Sequence, residues 1–401
     1  MHSTTLPFTV PLPADLPFAF SLTALAGHLQ TVTDRRKRRG RRYPLPALLT
    51  LAVLAKCAGH SRLDPLAHWA RLRARDLAHL LGLKRPTMPH PSTWSRVLGA
   101  AVDPREVEQA LRTFFQPPTP AAPARASLVL AVDGKTLRGT IPLGQTQGVH
   151  LVAAYLPEHG VVLAQLAVDR KEHEIVVVPT LLAQLDLQGT VVVGDAMQTQ
   201  RELSVQIVEA GGDYVWCVKE NQPTLLAELT ELFAPPPITP GHAAPARDFQ
   251  TVRQVDKGHG RLEERVLTAS SMLAGYSDWP HLAQVFKLER RVWQQGRQTL
   301  QEVRYGITSL PRAVADAPRL LQIVRAEWGI ENGLHYRRDV TLAEDASQLR
   351  RGTAPHVMAA LNNAVVSLLG QAGEANLPAL QRTFAYQFDR FLAQLSAILS
   401  T

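Results

Sequence analysis

The stretch Ala126-Ser-Leu-Val-Leu-Ala-Val-Asp133-Gly134-Lys135-Thr-Leu-Arg138 decides how this chain is read. An apolar run ends in an acid and a glycine, the pattern of a buried strand that delivers one carboxylate to a sheet edge. Asp-Gly is equally the chemistry of an ordinary turn, so the pair by itself leaves both readings open. The residues on either side decide between them.

Two further strand-like runs follow closely, over 149–155 and 161–168, joined by the turn Pro157-Glu-His-Gly160. Connections this short allow only antiparallel neighbours. A helix over 178–185 then leads to Gly189-Thr-Val-Val-Val-Gly-Asp195, and a second over 198–210, ended by Gly211-Gly212, leads to Asp213-Tyr-Val-Trp-Cys-Val-Lys219. Strands joined through helices run parallel, with right-handed crossovers. Three antiparallel strands followed by two parallel ones is the strand order of a ribonuclease-H-like sheet. It sets the ends of strands one and four side by side and so predicts that Asp133 and Asp195 meet.

Upstream, residues 1–30 form a proline-rich N-terminal segment that becomes mildly helical. Next comes Arg35-Arg-Lys-Arg-Arg-Gly-Arg-Arg42, seven basic residues in eight positions. Such a block is screened either by solvent or by a polyanion. Phosphate contact by Arg35, Arg36, Lys37, Arg38, Arg39, Arg41 and Arg42 would give an affinity that falls steeply with salt. Leu45, Leu48, Leu49, Ala52 and Val53 share one helical face, as do Leu63, Leu66, Trp69 and Leu72 in the next segment. Pro91-Ser-Thr-Trp-Ser-Arg96 opens a third helix, either an ordinary bundle helix or the second helix of a helix-turn-helix with Arg96 toward DNA. Residues 31–116 are therefore predicted to be a basic arm and helical, DNA-binding domain, and 117–125 a stiff proline-rich linker.

Residues 126–222 read as the first part of the core. Over 223–310 the character changes: a helix near 225–233 and the cluster Pro235-Pro-Pro237 precede strand-like runs over 261–268, 283–293 and 299–307, a β-rich insertion. Residues 311–401 return to helix and complete the core. The predicted class is α/β: a ribonuclease-H-like mixed sheet with a β-strand insertion and an N-terminal helical domain.

Bulk properties agree. A chain of 401 residues suits two or three domains, and its 45% apolar and 19% charged residues exclude a disordered polymer. The net charge of +8 suits an acidic partner such as nucleic acid. Two cysteines, Cys57 and Cys217, are too few for a disulfide framework or a cysteine-based zinc site, which suggests a cytoplasmic protein. The most apolar N-terminal region, 43–59, falls short of the roughly 20 residues that span a bilayer, and no secretory start precedes it. No membrane partner is expected.

Two carboxylates brought together repel unless a cation sits between them. Magnesium takes oxygen ligands and keeps its waters, so two or three acids are enough to hold it. A pair of such ions suits phosphoryl transfer on a nucleic-acid backbone. The third acid would come from Glu327, Glu331, Asp339, Glu344 or Asp345. Steps of four place Glu327, Glu331 and His335 on one helix face with Arg338 nearby, and spacing leaves Glu327 and Glu331 open. A solvated face of internal ion pairs is the plainer alternative. Lys135, Lys219, Arg325, His335 and Arg338 are candidates to neutralise phosphates. His259 and Arg261, in a glycine-rich turn flanked by Lys257 and Arg265, are candidate DNA contacts. Trp94, Trp216 and Trp328 read as core. No Walker loop, nucleophile elbow or paired-histidine zinc helix is present.

Five motifs occur in order: Asp133-Gly-Lys-Thr-Leu-Arg138; Gly194-Asp195-Ala-Met-Gln-Thr-Gln200; Val218-Lys219-Glu-Asn221-Gln222-Pro223; Gly258-His259-Gly260-Arg261-Leu-Glu263-Glu-Arg265; and Trp328-Gly-Ile-Glu331-Asn332-Gly-Leu-His335 with Asp339, Glu344 and Asp345 beyond it. In these the chain resembles the DDE transposases of the ISAs1 family, which include the H-repeat-associated proteins, from about Arg35 to about Arg351. The resemblance, rather than spacing, selects Glu331 and implies a catalytic, metal-holding triad of Asp133, Asp195 and Glu331. It further implies two Mg2+ or Mn2+ ions, strand cleavage at insertion-sequence ends, and transfer of the 3′-hydroxyl to target DNA by a homodimer or higher oligomer. Departures are Tyr336 where many members have Trp, Arg338 where they have an apolar residue, and Glu327 where His is frequent. A domesticated or inactive DNA-binding copy, and a host nuclease without strand transfer, are the alternatives.

Overall fold

In the computed structural model, which describes residues 22–115, 126, 128–168, 173–235, 246–258, 260–371 and 376–388, helices precede the first strand. They are α1 (Leu22–Leu29), α2 (Leu45–Cys57), α3 (Leu63–Leu72), α4 (Ala74–Leu80), α5 (Pro91–Ala100) and α6 (Pro104–Phe115). Most of α2 is buried on every side, from Leu48 through Cys57, so it is the hub of this region rather than a surface helix. The helices α3, α5 and α6 each bury one stripe, anchored by Trp69, Trp94 and Phe115. Leu72, expected on the core face of α3, is exposed because the helix ends there.

One residue of α2 resists this burial. Lys56 is 1% exposed, and its Nζ finds the Ser61 carbonyl at 3.3 Å. Burial pushes its pKa down from the ordinary 10.5 to about 8, against the pull of Glu344 and Cys57. Below pH 8 both folded and unfolded chains carry the charge, and the folded chain bears the full desolvation penalty. Between pH 8 and 10.5 the folded form gives up its proton first, so stability contributed at this site rises with pH. At about 1.4 kcal/mol per pH unit the penalty at neutrality is on the order of 3 kcal/mol. Lys56→Met is therefore expected to raise the melting temperature at pH 7 and to remove this rise at high pH, which thermal melts of both proteins across pH 7–10.5 will read.

The sheet begins with β1 (Leu128–Leu137), β2 (Val149–Leu156) and β3 (Val161–Val168), paired antiparallel as their short turns require. After α7 (Glu174–Leu182) comes β4 (Thr190–Gly194), and after α8 (Arg201–Glu209) comes β5 (Asp213–Val218). Both are parallel additions, β4 beside β1 and β5 beside β4. This is the predicted ribonuclease-H-like order, with one correction: β1 does not end at the acid. It runs on through Asp133 to Leu137 against β2, whereas its pairing with the shorter β4 stops at Val132 opposite Gly194. Asp133 and Asp195 thus stand where the parallel ladder gives out, Asp133 within a continuing strand and Asp195 at the start of a short helical turn.

Beyond α9 (Pro223–Phe233) four long strands follow: β6 (Gln250–Gly258), β7 (Arg261–Ser270), β8 (Gln284–Gln294) and β9 (Arg297–Thr308). They extend the same sheet, because β9 pairs antiparallel with β5. The full order is β3-β2-β1-β4-β5-β9-β8-β7-β6. The helix α10 (Ala317–Ile330), capped by the Asp316 carboxylate on the Arg319 N–H, crosses β1, β4 and the β6–β7 hairpin. It passes without a break into wider π-helical turns over Glu331–His335 and Arg337–Thr341.

The last described helices are α11 (Ala354–Gln371) and α12 (Leu377–Tyr386). The helix α11 is buried nearly all round and touches β3, α2, α5 and α6, so one continuous apolar core joins the N-terminal helices to the sheet. The expected linker at 117–125 lies outside the described residues. Among the described residues no helix is long and apolar enough to cross a membrane.

Candidate active site

The site lies where β1 runs past the end of β4, beside the π-helical continuation of α10. Asp133 sits on β1, and the following Gly134 N–H donates to its Oδ1 at 2.8 Å. Asp195 ends β4 and turns its Oδ1 back to accept from the Met197 N–H at 2.9 Å. Glu331 opens the first π turn, and His335 follows on the same face. Its Nδ1 lies 3.3 Å from Glu331 Oε2 and 3.4 Å from Asp133 Oδ2. Asp133, Glu331 and His335 each offer one ligand atom within 4.8 Å of the others. Asp195 stands outside this triplet, on the neighbouring strand.

Charge is concentrated here. Burial, then the acids Glu174, Asp195 and Glu331, push the Asp133 pKa from 3.8 up to about 7 against the Gly134 N–H. Burial also raises Asp195, with Glu174 adding to it, while the Met197 and Gln198 N–H groups and Lys219 oppose. His335 is 5% exposed, and burial with Arg338 and Lys135 pushes its pKa down to about 3. The ring is therefore neutral, and its contacts to the acids are not ion pairs. Its Nε2 has no hydrogen-bond partner among the described residues.

The two glutamates left open by spacing go to different places. Glu331 is exposed and turns to Asp133 and His335. Glu327 lies deeper, where Cys217 Sγ donates to its Oε2 at 3.6 Å. Burial raises its pKa, Arg304, the thiol and Lys219 oppose, and Asp195 adds to the rise. Glu174 is the group that sequence reasoning missed. It begins α7, reaches His150 Nε2 at 2.7 Å, and lies against the backbone of Gly134. A glutamate in the first turn of a helix reads as ordinary dipole chemistry, so only the tertiary fold reveals its place.

The basic candidates divide. Lys219 is exposed just past β5 and close enough to Asp195 and Glu327 to favour their charged forms. Arg325 pairs with Asp256 at 3.3 Å, and Arg261 is exposed on β7. Arg96 is exposed on α5, its Nε donating to the Ser92 carbonyl. In the basic stretch Lys37, Arg38 and Arg39 are exposed, Arg35 pairs with Asp103 at 2.6 Å, and Arg42 lies over the Tyr43 ring. Arg41 donates to the Asp34 and Arg36 carbonyls. His259 lies outside the described residues.

Four of the candidate phosphate contacts are buried or engaged within the fold. Arg36 faces inward, tied to Asp34 at 2.8 Å and to the Tyr43 carbonyl at 2.7 Å. Lys135 is buried with its Nζ 2.6 Å from Asp339 and 3.7 Å from Asp345, so its charge is already neutralised. His335 is buried and uncharged. Arg338 is fully buried, donating to Glu344 at 2.7 Å, Gln165 at 2.9 Å and Asn363 at 3.2 Å. Trp94 and Trp216 are core, whereas Trp328 is half-buried with the guanidinium groups of Arg290, Arg304 and Arg265 at 4.8, 5.0 and 5.5 Å from its ring.

This arrangement meets known proteins at the sequence level. The family described as Transposase DDE domain matches residues 125–368, which carry every acid of the site. The chain belongs to that family. A second match, described as DDE_Tnp_1-associated, covers residues 26–115 of this transposase. It is 26% identical to "Putative protein YbfL" of Escherichia coli (strain K12) over 87% of its own length and 90% of that protein's. It is 28% identical to "Putative transposase YncI" of Escherichia coli O157:H7, over 87% and 88%. With "H repeat-associated putative transposase YhhI" of Escherichia coli (strain K12) it shares 26% over 87% and 90%. Among solved structures, the piggyBac transposase synaptic complex with hairpin DNA is similar at TM-score 0.41 and 10% identity, covering 95% of this chain and 78% of that one. The protein is thus a DDE transposase, similar to proteins named H repeat-associated.

Proposed function

We propose that this transposase cuts DNA at the ends of an insertion sequence of the ISAs1 group and joins the exposed 3′-hydroxyl to target DNA. One observation carries the reading: Asp133 and Glu331, far apart in sequence, meet within 4.8 Å at His335, with Asp195 on the adjoining strand. Among the described residues no Lys or Arg forms an ion pair with Asp133, Asp195 or Glu331, which suits a hard divalent cation and oxygen donors. Asp133, Asp195 and Glu331 would hold Mg2+ or Mn2+, two ions in all, with neutral His335 beside them as a further ligand or positioning group. Such ions, when bound, polarise the scissile phosphate and favour the deprotonated nucleophile.

The rest of the work belongs to the chain. The exposed cations Lys37, Arg38, Arg39, Arg96, Lys219 and Arg261 would meet phosphates, joined by the exposed Arg35, Arg41 and Arg42 and by half-buried Arg325. Assembly on DNA as a homodimer or larger complex would bring two element ends together. The test is incubation of the protein with a duplex carrying its terminal repeats and supercoiled plasmid. Mg2+ or Mn2+ is expected to yield nicked ends and joined products, and EDTA to abolish both. Cleavage that survives EDTA, or cleaved ends that never join, would overturn the reading.

A further inference from the structure

We propose that Glu174 is a fourth carboxylate of the metal site, held between the Asp133 and Asp195 sides by His150. The inference rests on the reading that Asp133, Asp195 and Glu331 hold a divalent ion.

The placement is specific. A side chain at Gly134 would collide with both oxygens of the Glu174 carboxylate, so that carboxylate fills the space beside the backbone immediately after Asp133. On the other side, Gln198 Nε2 lies 3.4 Å from Glu174 Oε2. Gln198 closes the short helical turn that begins at Asp195 and packs on Gly194. Glu174 therefore touches elements that carry each aspartate.

His150 fixes it there. An ionised carboxylate only accepts, so Nε2 at 2.7 Å is the donor, leaving Nδ1 to accept from the Thr136 hydroxyl at 2.8 Å. Thr136 and His150 are register partners on β1 and β2, so the support is built into the sheet. Hydrogen-bonded second partners of this kind orient the groups that hold a metal.

A second kind of observation points to a ligand at this site. Gln198 is 1% exposed, yet its Oε1 has no partner among the described residues, and the same holds for Nε2 of buried His335. Two orphaned polar atoms, one on each side of the acids, mark a site built for something more than its own side chains. No described Lys or Arg pairs with Glu174, whose one close charged or chargeable neighbour among the described ion pairs is His150.

The test is Mn2+ binding to the full-length protein, followed by calorimetry and by the electron paramagnetic resonance of free Mn2+. Glu174→Gln keeps the size and the bond to His150, and Glu174→Asp keeps the charge but withdraws the carboxylate. Both are expected to weaken Mn2+ binding by about ten-fold or more, with circular dichroism and EDTA melting curves like those of the wild type. Wild-type affinity in Glu174→Asp would overturn the inference even if Glu174→Gln failed to fold. Asp133→Asn separates the two readings. If it loses Mn2+ while both Glu174 variants keep it, Glu174 lies outside a real metal site. If all three bind as the wild type does, the metal reading itself falls.

Discussion

Asp133→Asn is expected to lose metal-dependent DNA cleavage by ~10³-fold or more, equivalent to about 4 kcal/mol of transition-state stabilisation, while the metal-free protein becomes more stable. The two effects have one cause. Asp133 is half-buried, and its withdrawal from water, then the charges of Glu174, Asp195 and Glu331, raise its pKa from 3.8 to about 7. A carboxylate whose folded pKa is raised binds its proton more tightly in the folded state than in the unfolded one. Its stability contribution is therefore lost as pH rises from 3.8 towards 7, and the penalty is complete above that window. Asparagine removes the repulsion and, with it, the metal's strongest reason to bind. Thermal melts at pH 8 in EDTA should show the variant above the wild type, and added Mn2+ should raise the melting temperature of the wild type alone. A variant that still cleaves, or that melts lower without metal, would contradict this account.

The second large effect concerns stability. Arg338→Met is expected to destabilise the fold by about 3–5 kcal/mol, the range for breaking a buried pair from one side. Arg338 and Glu344 are 0% and 8% exposed, and Gln165, Asn362 and Asn363 complete the network around them. Removing the guanidinium strands Glu344 without its main partner and leaves two amides with lost contacts. The double variant Arg338→Met with Glu344→Gln should regain most of the loss, because no unpaired charge remains. Urea unfolding of the three proteins decides it, and a single variant as stable as the wild type would sink the idea. The network also braces the π-helical turns, so the single variant should lose activity before it loses its fold.

Much of this was readable in advance. The first five strands follow from apolar runs joined by turns or helices of telling length, and the meeting of Asp133 with Asp195 follows from their order. The strand β6 was not legible, because Gln250-Thr-Val-Arg-Gln-Val-Asp-Lys257 has no continuous apolar face, and on the sheet edge its positions alternate only between half-buried and exposed. Arg338 was misplaced by helical arithmetic: a wheel of 3.6 residues per turn loses phase once the helix widens after Ile330. Lys135 was misread for a different reason. Its sequence neighbours say nothing of Asp339 and Asp345, which arrive from another part of the chain.

The place of β9 in the sheet governs the protein during its own synthesis. While the ribosome is still translating β6 to β8, β5 has an open edge that invites pairing with any other unfinished chain. Asp133 and Asp195 are already made, yet Glu331 is still to come. A product ended by a stop codon or a frameshift before β9 would thus carry Asp133 and Asp195 on an unsealed sheet, prone to aggregate and without the third acid of the proposed site. Under the proposed assignment only a chain translated past Glu331 is armed, which ties the capacity to break DNA to the completeness of the message that encodes it.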